Sequence, residues 1–369
     1  MQFIRASRDS ILKPLTTVAG IVERRHTLPI LANVLLRKEG ESVSFLATDV
    51  EIQIRTTASL GAGEGDGATT VSARKLIDIL RALPEGPEVS ISVAGKKATI
   101  QAGKSRFALQ TLEAEDFPTV AVNDQFAASF ALPQKQLKHL LHMVHFAMAQ
   151  QDIRYYLNGL LLVTDGDMVR VVATDGHRLA YCEAQLEGGS LARHDVIIPR
   201  KTVLELQRLL GDVDEPVEID VAANQVRMRF GEVEMVSKLV EGKFPDYQRV
   251  IPKGYSKATT VSREVLASSL GRASILTSDK FRGVRLSLSP GLMRVQTSNA
   301  EQEEAIDELE VDYDGEPLEI GFNVGYLQDV LANLKSEQVM LEFGDASTSA
   351  LLTVPGDTTF RYVVMPMRI

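Results

Sequence analysis

The sequence predicts an α+β protein made of three copies of one domain, each with two helices and several antiparallel strands. Three observations carry this. One order of apolar elements recurs with a period near 125 residues. Six stretches show apolar residues at helical spacing, two in each repeat. Between them lie short runs alternating with period two, the pattern of strands with one buried face. A chain of 369 residues agrees with two or three domains. Units of about 120 residues can each bury a core.

Each repeat opens on a helix: SRDSILKPLTTVAGIV from Ser7, PQKQLKHLLHMVHFAM from Pro133 and SREVLASSLGRASIL from Ser262. A strand, a polar turn and a second strand follow, in LPILANVLLRKEGESVSFLATDVEI from Leu28, in RYYLNGLLLVTDGDMVRVVATDGHRLAY from Arg154 and in KFRGVRLSLSPGLMRVQTSNAEQEEA from Lys280. These segments carry Thr48-Asp49, Thr174-Asp175 and Ser298-Asn299, at offsets of 126 and 124. The second helix comes next, in VSARKLIDILRAL, IPRKTVLELQRLL and FNVGYLQDVLANL, opened by Ser, Pro or Asn near the cap. Alternating runs such as EVSISVAGKKATIQA and PVEIDVAANQVRMRF supply the remaining strands. DFPTV at 116–120 echoes KFPDY at 243–247, and MPMRI ends the third copy. Boundaries are expected near 125 and 253, giving domains 1–125, 126–253 and 254–369.

Charge is sorted by element. The chain carries −9 overall, yet the six helical stretches sum to +9, which leaves −18 on everything else. If equivalent helices face the same way they line one basic surface. A polyanion would be held there through its phosphates with little sequence preference, and the acidic remainder would repel it elsewhere. The plainer alternative is that exposed helix faces carry Lys and Arg for solubility.

Composition and motifs exclude other classes. No apolar run approaches the ~18 residues of a membrane span, and the N-terminus MQFIRASRDS has no signal-peptide core. A cytoplasmic location is expected. The single Cys182 cannot form an internal disulfide or a thiolate metal cluster. GAGEGDG at 61–67 contains Glu64 and Asp66 and no following Lys-Ser/Thr, so it reads as a hairpin loop and not a phosphate loop. His139, His142 and His145 lack a further ligand nearby and read as a helix face that becomes more basic on protonation, not a metal site. DYDGE at 312–316 lacks the full calcium-loop pattern. Asp49 and Asp175 recur at equivalent positions, which assigns them to turns satisfying local backbone donors. No nucleophile signature is present, and no cofactor or metal is expected.

LPIL at 28–31, QDIRYYLNG at 151–159, ATDGHRLA at 173–180, GKFPDYQRVIP at 242–252, KFRGVRL at 280–286 and the terminal YVVMPMRI resemble the bacterial DNA polymerase III beta subunit family, the sliding clamps, in order along the whole chain. The resemblance implies a DNA clamp fold in which two chains join head to tail into a ring of six domains. Helices line the pore, which agrees with the sorted charge. It implies no catalysis: the ring encircles duplex DNA without sequence preference. It tethers the replicative polymerase, the clamp loader and other clamp-binding proteins through short peptide motifs.

Site residues follow from the matching motifs. Arg25, Arg74, Gln151, Tyr155 and Tyr156 stand where the family contacts DNA. Arg200 and Lys201, at the start of a helix, are added from the charge argument; the aligned Val324 and Gly325 of the third repeat depart from it. One side of the implied partner cleft is Leu157, Thr174, Gly176, His177, Arg178, Leu179, Pro245, Arg249 and Val250. The other is Phe281, Asn323, Tyr326, Ser349, Val363, Val364, Met365, Pro366, Met367 and Arg368. Adaptable Met side chains suit several ligands, and Pro366 fits an ordinary final strand poorly. Phe107, Ile275 and Leu276 match the family's dimer interface. Two rival readings stay open on the residues alone: an enzyme for an anionic substrate framed by basic helices, and a protein-binding scaffold whose basic helices are merely solvated.

Overall fold

The computed structural model describes residues 1–23, 28–187, 189–278 and 282–369. Helices form where the apolar spacing places them: α1 (Arg8–Ala19), α2 (Ala73–Ala82), α3 (Gln134–Val144), α4 (Arg200–Leu209), α6 (Arg263–Ser274) and α7 (Val324–Asn333). The single turn α5 (Tyr247–Val250) is an addition; four residues are too few to leave a periodic signal. Ser7, Ser72 and Ser262 each accept a hydrogen bond from the backbone N–H three residues on, and Asn323 accepts from Gly325. Such caps are each worth about 1 kcal/mol.

α1 stops at Ala19, short of the expected Val22, for a visible reason. The Arg208 guanidinium donates to the carbonyls of Thr16 and Thr17 at 3.3 and 2.8 Å, satisfying the helix's last acceptors. A Cβ at Gly20 would stand 2.4 Å from the Glu205 carboxylate and 2.5 Å from Arg208, so a side chain there would displace the ends of both.

The chain gathers into two compact units, 1–135 with 204–239 and 136–203 with 240–369, so the second repeat is shared between them. The cause is strand pairing across the repeats. In the first unit one twelve-stranded sheet includes Ile52–Ser59 of repeat one paired antiparallel with Val233–Lys238 of repeat two, from Ile52 opposite Ser237 to Thr56 opposite Val233. In the second, an eight-stranded sheet includes Arg178–Gln185 of repeat two paired with Asp357–Val364 of repeat three, from Arg178 opposite Val364 to Cys182 opposite Phe360. That unit also holds a four-stranded sheet, Glu304–Glu310, Leu292–Ser298, Gly283–Ser289 and Leu318–Asn323. The alternating runs at 89–102 and 216–230 are hairpins.

The repeated Thr-Asp is a turn. The Asp49 carboxylate accepts from the N–H groups of Glu51 and Ile52 at 3.0 and 2.8 Å, and Asp175 accepts from His177 and Arg178 at 2.9 and 3.1 Å. In repeat three Asn299 accepts from Glu301 and Glu303. The residue after the Asp adopts positive φ, 71° at Val50 and 89° at Gly176. A β-branched residue is strained there. Val50→Asn, which tolerates this conformation and loses little buried area, is expected to stabilise the protein by about 1 kcal/mol, read as a higher urea midpoint.

The loop 61–67 turns its carbonyls inward. Gly63 and Gly65 accept from the Lys38 ammonium at 3.0 and 2.6 Å, and Lys38 is only 1% exposed. Carbonyls holding a cation are the reverse of a phosphate cradle. Cys182 is buried, which pushes its thiol up to about 12 and leaves it inert.

Candidate functional site

The second compact unit packs a buried apolar cluster along the strand pair Arg178–Gln185 and Asp357–Val364. Leu179 lies opposite Val363, so their side chains share one face of the sheet. They join a buried cluster with Val172, Tyr181, Phe244, Tyr247 and Leu351, against which Tyr156 and Val250 pack half-buried. Leu157, Thr174 and Val364 are buried, and Pro245 and Ser349 are half-buried. Arg249 is exposed on α5 and paired with Asp246 at 3.1 Å. Gly176 and His177 sit at the exposed turn, where the His177 ring stacks on Tyr326. Asn323 caps α7 beside it. Phe281 lies outside the described residues.

Arg178 anchors one end. It donates to Asp175 at 3.1 Å, to Asp329 at 2.5 Å and to the Phe146 carbonyl at 2.8 Å, and it lies 4.5 Å over the Tyr326 ring. Burial opposes its charge, but Tyr362, Asp329 and Asp175 outweigh that and hold its pKa above the usual value. The guanidinium is therefore a fixed cation clamping α7 to the 145–158 segment. Asp329 and Phe146 were missed by sequence reasoning, because nothing in a single sequence links them to Arg178.

The final strand ends at Val364. Met365 donates its N–H to the His177 carbonyl at 2.9 Å and Met367 to Gly321 at 2.7 Å, so Pro366, which has no N–H, falls between the two bonds. Met365, Met367 and Arg368 remain exposed, at 40% and 38% for the two methionines. The Met365 sulfur lies 3.5 Å from the Ser349 hydroxyl, while Met367 lines a separate pocket with Ile275, Leu276 and Ile369; exposed, unbranched thioethers of this kind suit an apolar anchor on an extended peptide. The equivalent position in the first unit is Lys238, whose N–H donates to the Glu51 carbonyl at 2.9 Å. There an ion pair, Lys238 with Glu51 at 2.9 Å, takes the place of Met365 beside His177. One junction carries an exposed methionine, the other a bridging ion pair.

The expected DNA contacts are distributed unevenly. Arg25 lies outside the described residues. Arg74, Lys75 and Arg81 are exposed on α2, which packs against α1 with its exposed Lys13. Gln151 is exposed at φ 57°, and Tyr155 is 58% exposed with its ring edge-on to Tyr156. Asp152 braces their loop: it accepts from the Arg154 N–H and guanidinium, which lowers its carboxyl to about 2, while Asn158 bonds its backbone at both ends. Ile153 on this loop, 96% exposed, was not foreseen.

Arg200 is half-buried, with long contacts to the carbonyls of His145 and Met148 at 3.5 and 3.4 Å, and burial and Arg178 lower its pKa. Lys201 is half-buried. On α6, Arg263 bonds the carbonyls of Ser336 and Leu331 and Arg272 pairs with Asp307, so that helix's charge is already engaged. The histidine face expected on α3 is not formed. His139 is exposed, but His142 contacts the Asn333 carbonyl and His145 the His142 carbonyl, and burial pulls His145 below its usual range.

Two strands with an unpaired edge bear on assembly. Ser105–Gln110 pairs on one side with Lys97–Ala102, and on the other only Thr111 and Leu112 are paired; Phe107 is 37% exposed. Glu304–Glu310 is the edge of the four-stranded sheet, with Ile306 51% exposed. Ile275, 77% exposed, and half-buried Leu276 follow α6. Among the described residues no helix is long and apolar enough to cross a membrane.

Comparison with known proteins covers the whole chain. The family models for the DNA polymerase III beta subunit match in order: the N-terminal domain at 1–121, the central domain at 131–246 and the C-terminal domain at 248–368. The beta sliding clamp of Pseudomonas aeruginosa is 48% identical and that of Escherichia coli K12 44% identical, each over 98% of both chains. A crystal structure of the Pseudomonas aeruginosa DNA polymerase sliding clamp with a ligand superposes with a TM-score of 0.96 at 46% identity over 100% of both chains. Another, bound to griselimycin, gives 0.95.

Proposed function

The chain belongs to the DNA polymerase III beta subunit family and is a DNA sliding clamp, a non-catalytic factor for replication processivity, and from that premise we propose how its own residues do the work. Two copies close head to tail into a cytoplasmic ring of six domains, bounded in each chain near 125 and 253. The ring surrounds duplex DNA, and its clients, the replicative polymerase and clamp loader among them, dock short peptides in the groove at Leu179 and Val363.

The observation that carries ring closure is the repeated junction. Twice within the chain, the strand after the Thr-Asp turn pairs with the last hairpin strand of the next repeat. The third such strand, Glu304–Glu310, and the remaining hairpin strand, Ser105–Leu112, each keep an unpaired edge. The rule that joins repeats one to two and two to three therefore joins three to one of a second copy. Register follows. In repeat two the first paired residue, Ser237, lies seven before Phe244; the same step from Phe117 reaches Gln110. On the other strand the Asp49 N–H donates to the Ile52 carbonyl as Asn299 donates to Glu303, so Glu303 takes the place of Ile52. Glu303 then faces the partner's Gln110, Ile306 the partner's Phe107 and Asp307 the partner's Arg106. The acidic strand meets the basic one.

For DNA, the exposed cations of α1 and α2 and the Gln151–Tyr155 loop are the contacts supported best. Arg25 and Lys201 stay with them as proposals. Arg200 contributes its field from a half-buried position.

Topology tests the function. The protein loaded on nicked circular DNA is expected to remain bound through gel filtration at ~0.3 M salt and to be lost once the circle is linearised. Equal retention on both forms would reject encirclement. Reversing Arg74 and Lys75 to Glu is expected to weaken initial binding similarly on unrelated sequences and to flatten the salt slope by about 0.9 per lost contact.

A further inference from the structure

The wall of the groove hangs on the last five residues of the chain, and after Val364 these have no strand to hold them. Beyond the bond from Met365 to His177, something must keep Met367 and Arg368 in place, because an unfastened terminus frays. Two glycines on neighbouring strands supply it. Gly283 and Gly321 belong to strands paired with Asn323 opposite Gly283 and Arg285 opposite Gly321. Ile369 lies over both. A Cβ added at Gly321 would stand 2.4 Å from the Met367 carbonyl oxygen and 2.6 Å from Ile369 Cδ1; one added at Gly283 would stand 3.1 Å from Ile369 Cγ1. The missing side chains leave room for the Ile369 side chain against both strands, while the residue as a whole stays 54% exposed. The hydrogen bond from Met367 to the Gly321 carbonyl, 2.7 Å, sets the depth at which the tail enters it.

We propose that Gly321, Gly283 and Ile369 are positioning residues for client binding: the slot seats Ile369, fixes the tail through Met367, and so holds Met365 in place beside Ser349. This rests on the reading of the groove as the client site. Neither glycine needs positive φ, so turn geometry does not explain them, and glycine inside a strand weakens it. Close approach of the tail is the compensating reason. Ile369 contributes no direct client contact. It removes freedom that the wall would otherwise lose on binding, which is preorganisation.

The test uses the full-length ring, with Gly321→Ala, removal of Ile369, and Ile369→Val as the conservative control. Release of C-terminal residues by a carboxypeptidase reports the slot without any client. It is expected to be slow in the parent and in Ile369→Val and at least tenfold faster in Gly321→Ala; equal rates would overturn the slot. Calorimetry with a synthetic peptide carrying a Gln and a hydrophobic pair reports the wall. Affinity is expected to fall about tenfold in Gly321→Ala and on loss of Ile369, to be retained in Ile369→Val, and to change while sizing and retention on circular DNA do not. A faster carboxypeptidase rate with unchanged affinity would overturn the positioning role. A parent that fails to bind the peptide while its tail is protected would instead reject the groove as the client site.

Discussion

Cysteines placed at Phe107 and Ile306 are expected to cross-link two chains under mild oxidation, giving a covalent dimer on a denaturing gel and a ring that no longer opens. Directly opposed residues on antiparallel strands have Cβ atoms about 4.5–5.5 Å apart, close enough for a disulfide with little adjustment. The off-register pair Phe107→Cys with Glu308→Cys should not form it. The one native thiol does not compete, since Cys182 is buried and its pKa is raised. The same interface can be opened from beside the strands. Changing both Ile275 and Leu276 to Ala removes side chains that stand exposed and half-buried in the single chain. If the partner covers them, truncation should cost a few kcal/mol at ~25 cal/mol per Å² of apolar area, enough to raise the dimer dissociation constant a hundredfold or more. Sedimentation at submicromolar concentration separates the outcomes. An undiminished dimer would remove Ile275 and Leu276 from the interface. A cross-link through the off-register pair would displace the proposed pairing of Ile306 with the partner's Phe107.

What the sequence revealed and hid follows from how each interaction is encoded. Helix positions and caps were legible because Ser72, Ser262 and Asn323 act on their own next turn. The Thr-Asp turns were legible because the carboxylate and the donors it satisfies lie within three residues. Compact-unit organisation was not. It depends on pairs such as Ile52 with Ser237, and sequence spacing does not report which strands meet across 185 residues of chain. The charge argument was right in sign but too even. It weighed Arg208, Arg263 and Arg272 like Arg74, whereas the first three hydrogen-bond carbonyls or acids and Arg74, on an exposed face, makes a long 3.8 Å pair with Asp78. The histidine spacing misled for a similar reason. A step of three residues keeps side chains near one face, but His142 and His145 meet carbonyls there and not water.

Deleting Met365 to Ile369 is expected to reduce affinity for a client peptide by about 2–3 kcal/mol, roughly 30- to 150-fold, while the ring stays closed. The floor of the groove survives the deletion. Leu179 and Val363 remain opposed in the sheet, Arg178 keeps Asp175, Asp329 and the Phe146 carbonyl, and the final strand still ends at Val364. The wall is what goes: the Met365 thioether, the Pro366 turn, and the bonds from Met365 to His177 and from Met367 to Gly321. An apolar anchor entering the truncated groove would keep one flank in water, losing burial where the interface is driest. Rim groups such as Arg249 would still fix register but supply little energy when exposed. The complementary change enters from the other junction. Met365→Lys with His177→Glu copies the Lys238–Glu51 bridge and should close the groove without shortening the chain. Calorimetry on both variants, beside sizing, is the measurement. If the truncated ring binds the peptide with parental affinity, the anchor lies elsewhere. If only the bridged variant fails, occlusion and not wall contact governs entry.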